Sequence, residues 1–374
     1  MKFGHKKKVI VAMSGGVDSS VAALLLQQQG YDVTGVFMKN WSGTSLGLTG
    51  VAARQWENQC PWERDAYDVR RVCQRLHIPY YTFNFEKEYK DAVLDYFFRE
   101  YRAGRTPNPD IMCNKEIKFK VFLEKALSLG VDAIATGHYA RCVVRESKFE
   151  VHIPHDRAKD QTYFLYTLTQ AQLAHTLFPL ADYTKSEVRA LARQTNLPTH
   201  NKPDSQGICF VGEVDIRKFL ETTIARTPGA IVSVDNEVIG VHQGLAFYTI
   251  GQREGLNIDR GGPWYVVDKR VDRNKLIVAC GAHHKALFSH GLLATQAHWI
   301  SLEPTQFPLH CLARIRYRQT LELATVQKSK ESEEPSRLDV QFSTPQRAIT
   351  PGQSIVFYDG DHMLGGAVIE QSLH

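Results

Sequence analysis

The apolar run Val9-Ile10-Val11-Ala12-Met13 passes directly into Ser14-Gly15-Gly16-Val17-Asp18-Ser19-Ser20, and helical spacing follows from Val21 to Gln29. Strand, then small residues, then helix: no other stretch limits the fold so strongly. Small residues at that junction let backbone N–H groups converge on an anion, and the helix N-terminus adds the positive end of its dipole. The segment reads as a nucleotide phosphate site. No lysine follows the glycines, so it is not the loop that grips a transferred γ-phosphate.

From Val9 to about Thr136 apolar runs alternate with amphipathic stretches. Val33 to Met38, Tyr80 to Phe85 and Val131 to Thr136 read as strands, while Val69, Val72, Cys73 and Leu76, and then Phe119, Phe122, Leu123, Ala126 and Leu127, repeat at helical spacing. This alternation predicts an α/β fold, a doubly wound parallel sheet. Its ligand should lie beyond the strand C-termini, near Gly15, Gly16, Met38, Gly137 and His138.

A chain of 374 residues exceeds what one core supports. We expect a nucleotide-binding domain over 1–215, a small β-rich domain over 216–286 that starts with a helix from Ile216 to Arg226, and a strand-only C-terminal domain over 287–374. Leu309 to Arg318 alternates strictly, which predicts Arg314, Arg316 and Arg318 on a wet, basic strand face opposite Ala313, Ile315 and Tyr317. Ser329 to Ser336 reads as a solvated hairpin tip.

The net charge of +5 permits an acidic partner such as RNA, though solubility alone accounts for an excess of that size. There is no apolar run of about eighteen residues, and Met1 to Lys8 leads straight into a strand, so a cytoplasmic protein without membrane association is expected. Seven cysteines without a CxxC pair argue for reduced thiols over a disulfide scaffold or zinc ribbon.

Cys113 follows Thr106-Pro107-Asn108-Pro109-Asp110-Ile111-Met112, where two prolines are expected to prevent regular structure before a helix from Ile117 to Leu129. A place near a helix start, with Lys115 and Lys118 close by, favours thiolate. Cys209 lies in the loop Asp204 to Phe210, of a kind that can close over a site. Cys73, Cys142, Cys280 and Cys311 read as small buried hydrophobes. For Cys60, Cys113 and Cys209, local sequence alone leaves that reading and the reactive one evenly matched.

Taken together, Ser14 to Ser20, Thr106 to Phe119, Lys159 to Leu165, Gly207 to Phe210, Gly251-Gln252-Arg253, Pro263 to Lys269, Arg316 to Gln319 and Pro351-Gly352-Gln353 resemble the tRNA-specific 2-thiouridylases of the MnmA/TrmU family, within the ATP pyrophosphatase superfamily. The resemblance spans nearly the whole chain, whereas the Ser14 to Ser20 loop alone is shared with several nucleotide-dependent synthetases. It implies ATP contacts by Ala12, Met13, Ser14, Gly15, Gly16, Val17, Asp18 and Ser19, and by Met38 and Gly137. Cys113 would be the nucleophile and Cys209 the persulfide carrier. Asn108, Pro109 and Asp110 would meet the target base; Lys159, Asp160, Gln161, Arg316, Tyr317, His138 and Gln353 would contact tRNA. The C-terminal domain would be a β-barrel.

The same resemblance implies ATP-dependent 2-thiolation of a wobble uridine, with Mg²⁺ as auxiliary ion, tRNA as substrate, a persulfide donor protein as partner, no structural metal and a monomeric enzyme. Asp110 is the nearest candidate for proton transfer, or a turn or capping aspartate. Asp18 reads equally as a Mg²⁺ ligand and as a helix cap. Ala12 stands where the family commonly has glycine, a change tolerated if its φ is negative. Residues 40–59 and 151–157 depart from the family pattern. Competing readings are an ATP-dependent amidotransferase or synthetase, a non-catalytic tRNA-binding protein, and an enzyme with an iron–sulfur cluster.

Overall fold

The structure, a computed structural model, describes residues 6–42, 62–204, 215–329 and 337–373. They pack as two compact units. The first takes in the described parts of Met1–Leu94, Pro109–Val214 and Asp361–Leu364; the second takes in those of Asp95–Asn108, Asp215–Gly360 and Gly365–His374.

In the first unit β1 (Lys8–Met13), α1 (Val17–Gln28), β2 (Asp32–Lys39), α2 (Trp62–Leu76) and β3 (Tyr80–Asn84) alternate as the periodicity predicts. α3 (Glu86–Tyr89) continues as a π-helical turn, Lys90–Leu94, into α4 (Asp95–Arg102) of the second unit. Then come α5 (Pro109–Met112), a π-helix (Cys113–Val121), α6 (Phe122–Ser128), β4 (Ala133–Thr136), β5 (Arg141–Arg145), β6 (Lys148–His152), α7 (Gln170–Leu173), β7 (Thr176–Leu177) and α8 (Lys185–Gln194). The main sheet has the order β3-β2-β1-β4-β7, and every adjacent pair is parallel. β1 is central, and the order reverses between β1 and β4. A crevice therefore opens past their C-terminal ends, where Ser14 and Gly137 begin their loops.

Burial explains the order. β1 is apolar on both faces, and Val9, Val11, Met13, Val21, Leu25, Val69, Val72 and Leu197 join in one core. Buried on both sides, a parallel strand reads as a continuous apolar run instead of an alternating one. Ala12 is absent from the positive-φ residues, so the methyl group that replaces the family's usual glycine is accommodated.

One helix expectation changes. The helix does not wait until Ile117; it starts at Pro109 and runs through the π-helical Cys113–Val121. A proline at the first helical position lacks only an N–H that would have no intrahelical partner anyway. Cys113 is thus one turn inside the helix, not beside its start.

In the second unit α9 (Ile216–Glu221) leads into β8 (Gly229–Ser233), β9 (Val238–His242), β10 (Trp264–Arg270) and β11 (Lys275–Cys280), a sheet of order β10-β11-β8-β9. The α9 helix is five residues shorter than expected (226 − 221); Asp215 caps it, and Phe219 packs on Phe97 and Phe98 of α4. β12 (Phe288–Trp299), β13 (Leu309–Arg314), β14 (Glu322–Lys328), β15 (Leu338–Arg347), β16 (Ser354–Asp359) and β17 (His362–Leu373), which belongs to this unit from Gly365 on, follow. Their order β12-β15-β14-β13-β16-β17 closes through β12–β17 pairing into a six-stranded antiparallel barrel. Closure removes the exposed strand edges. β14 and β15 form the expected hairpin, and residues 330–336 of its tip lie outside the described residues.

The basic face expected around Arg314 is not present. β13 stops at Arg314, whose side chain is buried and donates from Nε and Nη2 to Tyr358 Oη at 3.1 and 2.5 Å. Arg316 is half-buried and donates to the Arg347 and Ala348 carbonyls, and Arg318 stands in a left-handed turn at φ 63°. Strict alternation was real, but the barrel wall turns at Ile315 and brings the arginines to different surroundings. Cys280 is also corrected: it ends β11 and is exposed, and Cys142 is half-buried. Cys73 and Cys311 are buried, and burial pushes both thiols up to about 12.

At the barrel seam, a Cβ on Gly365 would stand 2.1 Å from the His298 carbonyl oxygen. We expect Gly365→Val to lower unfolding free energy by about 3 kcal/mol or more, because overpacking against backbone cannot relax by a rotamer change. Urea denaturation checks this; an unchanged midpoint would show that the seam tolerates a side chain.

Candidate functional site

β1 ends at Met13, and Ser14 to Gly16 carry the chain round to α1. Gly15 has φ 79°, and a Cβ there would meet the Asp65 carbonyl oxygen of α2 at 2.8 Å. Gly16 is the N-cap of α1 and provides no side-chain hydrogen bond. No N-cap side chain therefore closes the first turn, which is the state of a helix end that can take an anion. Ser19 Oγ instead shapes the loop: it accepts from Ser14 N at 3.2 Å and donates to Gly16 O at 3.3 Å. From the opposite side Gly137, just past β4, approaches so closely that a Cβ would lie 2.7 Å from Ser19 N.

Of the residues expected at the nucleotide, Ala12, Met13 and Val17 are buried, so only their backbone could serve a ligand. Met38 lines a cleft with Ser14, Phe37, Asn40, Trp62 and Asp65. Asn40 is 2% exposed, and among the described residues neither its amide oxygen nor its amide nitrogen has a hydrogen-bond partner. A buried amide left so costs free energy unless something in the cleft completes it. Sequence reading missed Asn40, because a polar residue after a strand ordinarily reads as loop.

A charge network flanks the loop. Lys185, the first residue of α8, donates at 2.7 Å to each Asp18 oxygen and pairs with Asp204 at 2.8 Å. Tyr139 Oη donates to Asp18 at 3.0 Å, and Lys159 and Arg189 bond Asp204 at 2.7 and 2.6 Å. Burial acts to raise the Asp204 pKa, but bonds from Lys159 and Lys185 override it and hold the carboxyl well below the usual range. Tyr139 is pushed far up by burial and by Asp18. Asp18 is therefore neither the helix cap nor an open carboxylate. Lys202 joins Asp65 and Asp68 at 2.6 and 2.7 Å, and burial raises the Asp65 pKa despite that contact. None of these partners adjoins Asp18 in sequence, and so no motif exposed them.

Cys113 is fully buried at the start of the π-helix. Wide π-turns inside α-helices are frequent at functional sites. Lys118 donates to Asn114 Oδ1 at 2.9 Å, and Asn114 Nδ2 donates to the Phe164 carbonyl at 3.0 Å. Lys115 is exposed and lies 3.7 Å from Glu116. Asp110 is half-buried in α5. His138 is buried beside Phe119 and Phe178 and shares a 2.8 Å hydrogen bond with Thr136 Oγ1; burial, then Lys118, pushes its pKa well down, so the ring is neutral.

Lys159-Asp160-Gln161 is tied into the first unit. Beyond the Lys159 pair, Asp160 is buried and accepts from Thr162 N and Oγ1, while Gln161 Oε1 accepts from Tyr139 N at 2.9 Å. In the second unit Gln353 Nε2 donates to the Thr106 and Pro107 carbonyls at 2.8 and 3.0 Å, just ahead of Asn108. Arg316 is held as above, and Tyr317 is half-buried beside Arg318, whose guanidinium lies 5.0 Å from its ring centre. Cys209 and Cys60 lie outside the described residues. Among the described residues the metal-capable cluster is Glu150, His152 and His362, and it includes none of the residues expected at the site.

Three family descriptions match the chain in succession: "tRNA methyl transferase HUP domain" over residues 7–213, "tRNA methyl transferase PRC-barrel domain" over 217–280 and "Aminomethyltransferase beta-barrel domain" over 289–369. The chain is 50% identical over 372 residues to a tRNA-specific 2-thiouridylase MnmA of Shouchella clausii, covering 99% of this chain and 98% of the relative. It is 49% identical over 370 residues to the protein of that name in Halalkalibacterium halodurans, covering 99% and 96%, and 50% identical over 370 residues to that of Alkaliphilus oremlandii, covering 98% of each.

The neutral His138 gives a pH dependence with a fixed sign. Its folded pKa lies below the unfolded value of about 6.5, so the unfolded chain binds the extra proton and stability falls as pH drops below that value. The slope from this group is up to about 1.4 kcal/mol per pH unit. We expect His138→Gln to flatten the decline between pH 6.5 and 5 in denaturant titrations; an unchanged slope would place the proton uptake elsewhere.

Proposed function

This chain belongs to the tRNA-specific 2-thiouridylase MnmA family, and on that footing we propose that it is a tRNA sulfurtransferase that converts a wobble uridine to 2-thiouridine with ATP and a cysteine persulfide. The observation that carries the reading is the first turn of α1, which no N-cap side chain closes, placed where the strand order reverses between β1 and β4.

The uracil 2-carbonyl resists substitution because oxide is a poor leaving group. The open first-turn amides of α1 suit the phosphates of ATP, while the Gly137 backbone, packed against Ser19, gives that end of the crevice a fixed wall. The 2-oxygen attacks the α-phosphorus, the bond to pyrophosphate breaks, and the base carries an adenylate whose departure as AMP is easy. The outer sulfur of a Cys209 persulfide then attacks the activated carbon and AMP leaves. Cys113 thiolate attacks the inner sulfur, freeing 2-thiouridine and forming a Cys113–Cys209 disulfide; alternatively it first releases hydrosulfide, with the same disulfide as by-product. Either route consumes two electrons from a cellular thiol reductant on reset.

Asp110, three residues before Cys113, is the group nearest in sequence for proton movement. Asp18 does not fit as a Mg²⁺ ligand, because Lys185 occupies both its oxygens and Tyr139 one of them; no step above depends on the ion. Asn108, Pro109, His138, Lys159 to Gln161, Arg316, Tyr317 and Gln353 remain proposed contacts for substrate tRNA. Their side chains are largely engaged within the protein, so those contacts would fall to backbone and to exposed neighbours. A persulfide donor protein, a cytoplasmic setting and action as a monomer complete the reading.

We expect Cys113→Ser and Cys209→Ser each to lower wobble 2-thiouridine by at least about a thousandfold while AMP still forms. Nucleoside mass spectrometry after incubation with tRNA, ATP and a persulfide donor measures both; thiolation that survives either change defeats the persulfide scheme. For Asn40→Leu, removal of an unpartnered amide should leave stability unchanged or raise it by about 1 kcal/mol, yet weaken ATP binding at least about tenfold. Equal ATP affinity in calorimetry would mean that Asn40 does not face the nucleotide.

A further inference from the structure

Within the first unit, β5 and β6 form a hairpin, and residues 362 and 363 pair antiparallel with β6, His362 opposite His152 and Met363 opposite Val151. Glu150 and His152 are two positions apart on β6 and so emerge on one sheet face, and a residue directly across an antiparallel pair shares that face. Backbone register alone thus brings one carboxylate and two imidazoles together. The side chains bear this out: the His152 and His362 rings stack 5.0 Å apart at 18°, His152 Nε2 lies 2.8 Å from Glu150 Oε2, and one ligand atom from each residue lies within 4.8 Å of the others.

We propose that Glu150, His152 and His362 form a binding site for a divalent zinc ion. Two imidazoles with a carboxylate are a donor set for zinc, whereas Mg²⁺ and Ca²⁺ take oxygen. Tetrahedral zinc holds neighbouring ligand atoms roughly 3.3 Å apart at bond lengths of about 2.0 Å. Small rotations of half-buried side chains close the remaining distance, and the backbone need not move. Three protein ligands leave the fourth position to water. Arg141, directly across from His152 on the other side of the hairpin, has its guanidinium engaged by Asp182 at 2.5 Å. Arg145 is exposed at the hairpin end and is free to turn to water. Bound zinc would pin residues 361–364 to β6, which are otherwise joined there by few backbone pairs. The site owes nothing to the thiolation reading.

Chelator-stripped full-length protein, dialysed against zinc and assayed by elemental analysis, should hold one tight equivalent. Its Co²⁺ form should show visible d–d absorption without the thiolate-to-cobalt band that cysteine ligands would give. His152→Asn and His362→Asn should weaken binding at least about a hundredfold, since loss of mere outer-shell partners already costs ten- to a hundredfold. Glu150→Gln, which preserves side-chain shape, should weaken it at least about tenfold, and zinc should raise the melting temperature of wild type but not of the variants. Circular dichroism of metal-free samples keeps misfolding separate from ligand loss. Wild-type zinc affinity in a folded Glu150→Gln or His152→Asn protein, no tight equivalent at all, or a cobalt spectrum carrying the sulfur band would overturn the assignment.

Discussion

The close approach of three backbone segments at the C-terminal end of β1 governs the first unit. Gly15 lies against the Asp65 carbonyl, and Gly137 lies against the first turn of α1, each within a distance that a β-carbon would violate. Because β1 and β4 are neighbours in a parallel sheet, both loops emerge at the same end, and the α1 amides face the gap between them. The uncapped helix start is tolerable there because the crevice is open to a ligand.

Around that point the protein has placed its charges in pairs. Lys185 joins Asp18 to Asp204, and Lys202 joins Asp65 to Asp68. These contacts hold α1, α2, α8 and the segment after α8 in register around the loop. They also explain why Asp18, the acid within the motif, is a positioning group in this structure. The buried amide of Asn40, without a partner among the described residues, contrasts with the paired charges and marks the cleft side on which hydrogen bonds are still to be made.

In the second unit geometry overrides pattern in a different way. The alternation from Leu309 to Arg318 suggested one basic face, but the barrel wall ends at Arg314 and three arginines meet three environments: a tyrosine hydroxyl, two backbone carbonyls and solvent. Period-2 spacing fixes sides only while the strand lasts. Gln353 is comparable. Its motif implied an outward contact, yet its amide secures the carbonyls of Thr106 and Pro107.

The strand–loop–helix unit at Val9 to Gln29, the parallel α/β class and the β-rich remainder were legible from the residues alone, because hydrophobic period and glycine placement are local consequences of backbone geometry. Cys113 and Cys209 were singled out only by the family resemblance, since local sequence left them evenly matched with Cys60. Only the tertiary structure decided that Cys113 sits inside a π-helical segment, that Lys185 answers Asp18 across 167 positions, that Asn40 lacks partners among the described residues, and that His362 lies beside His152. Such pairings depend on strand order and loop path, which bring together residues whose separation along the chain carries no trace of their meeting.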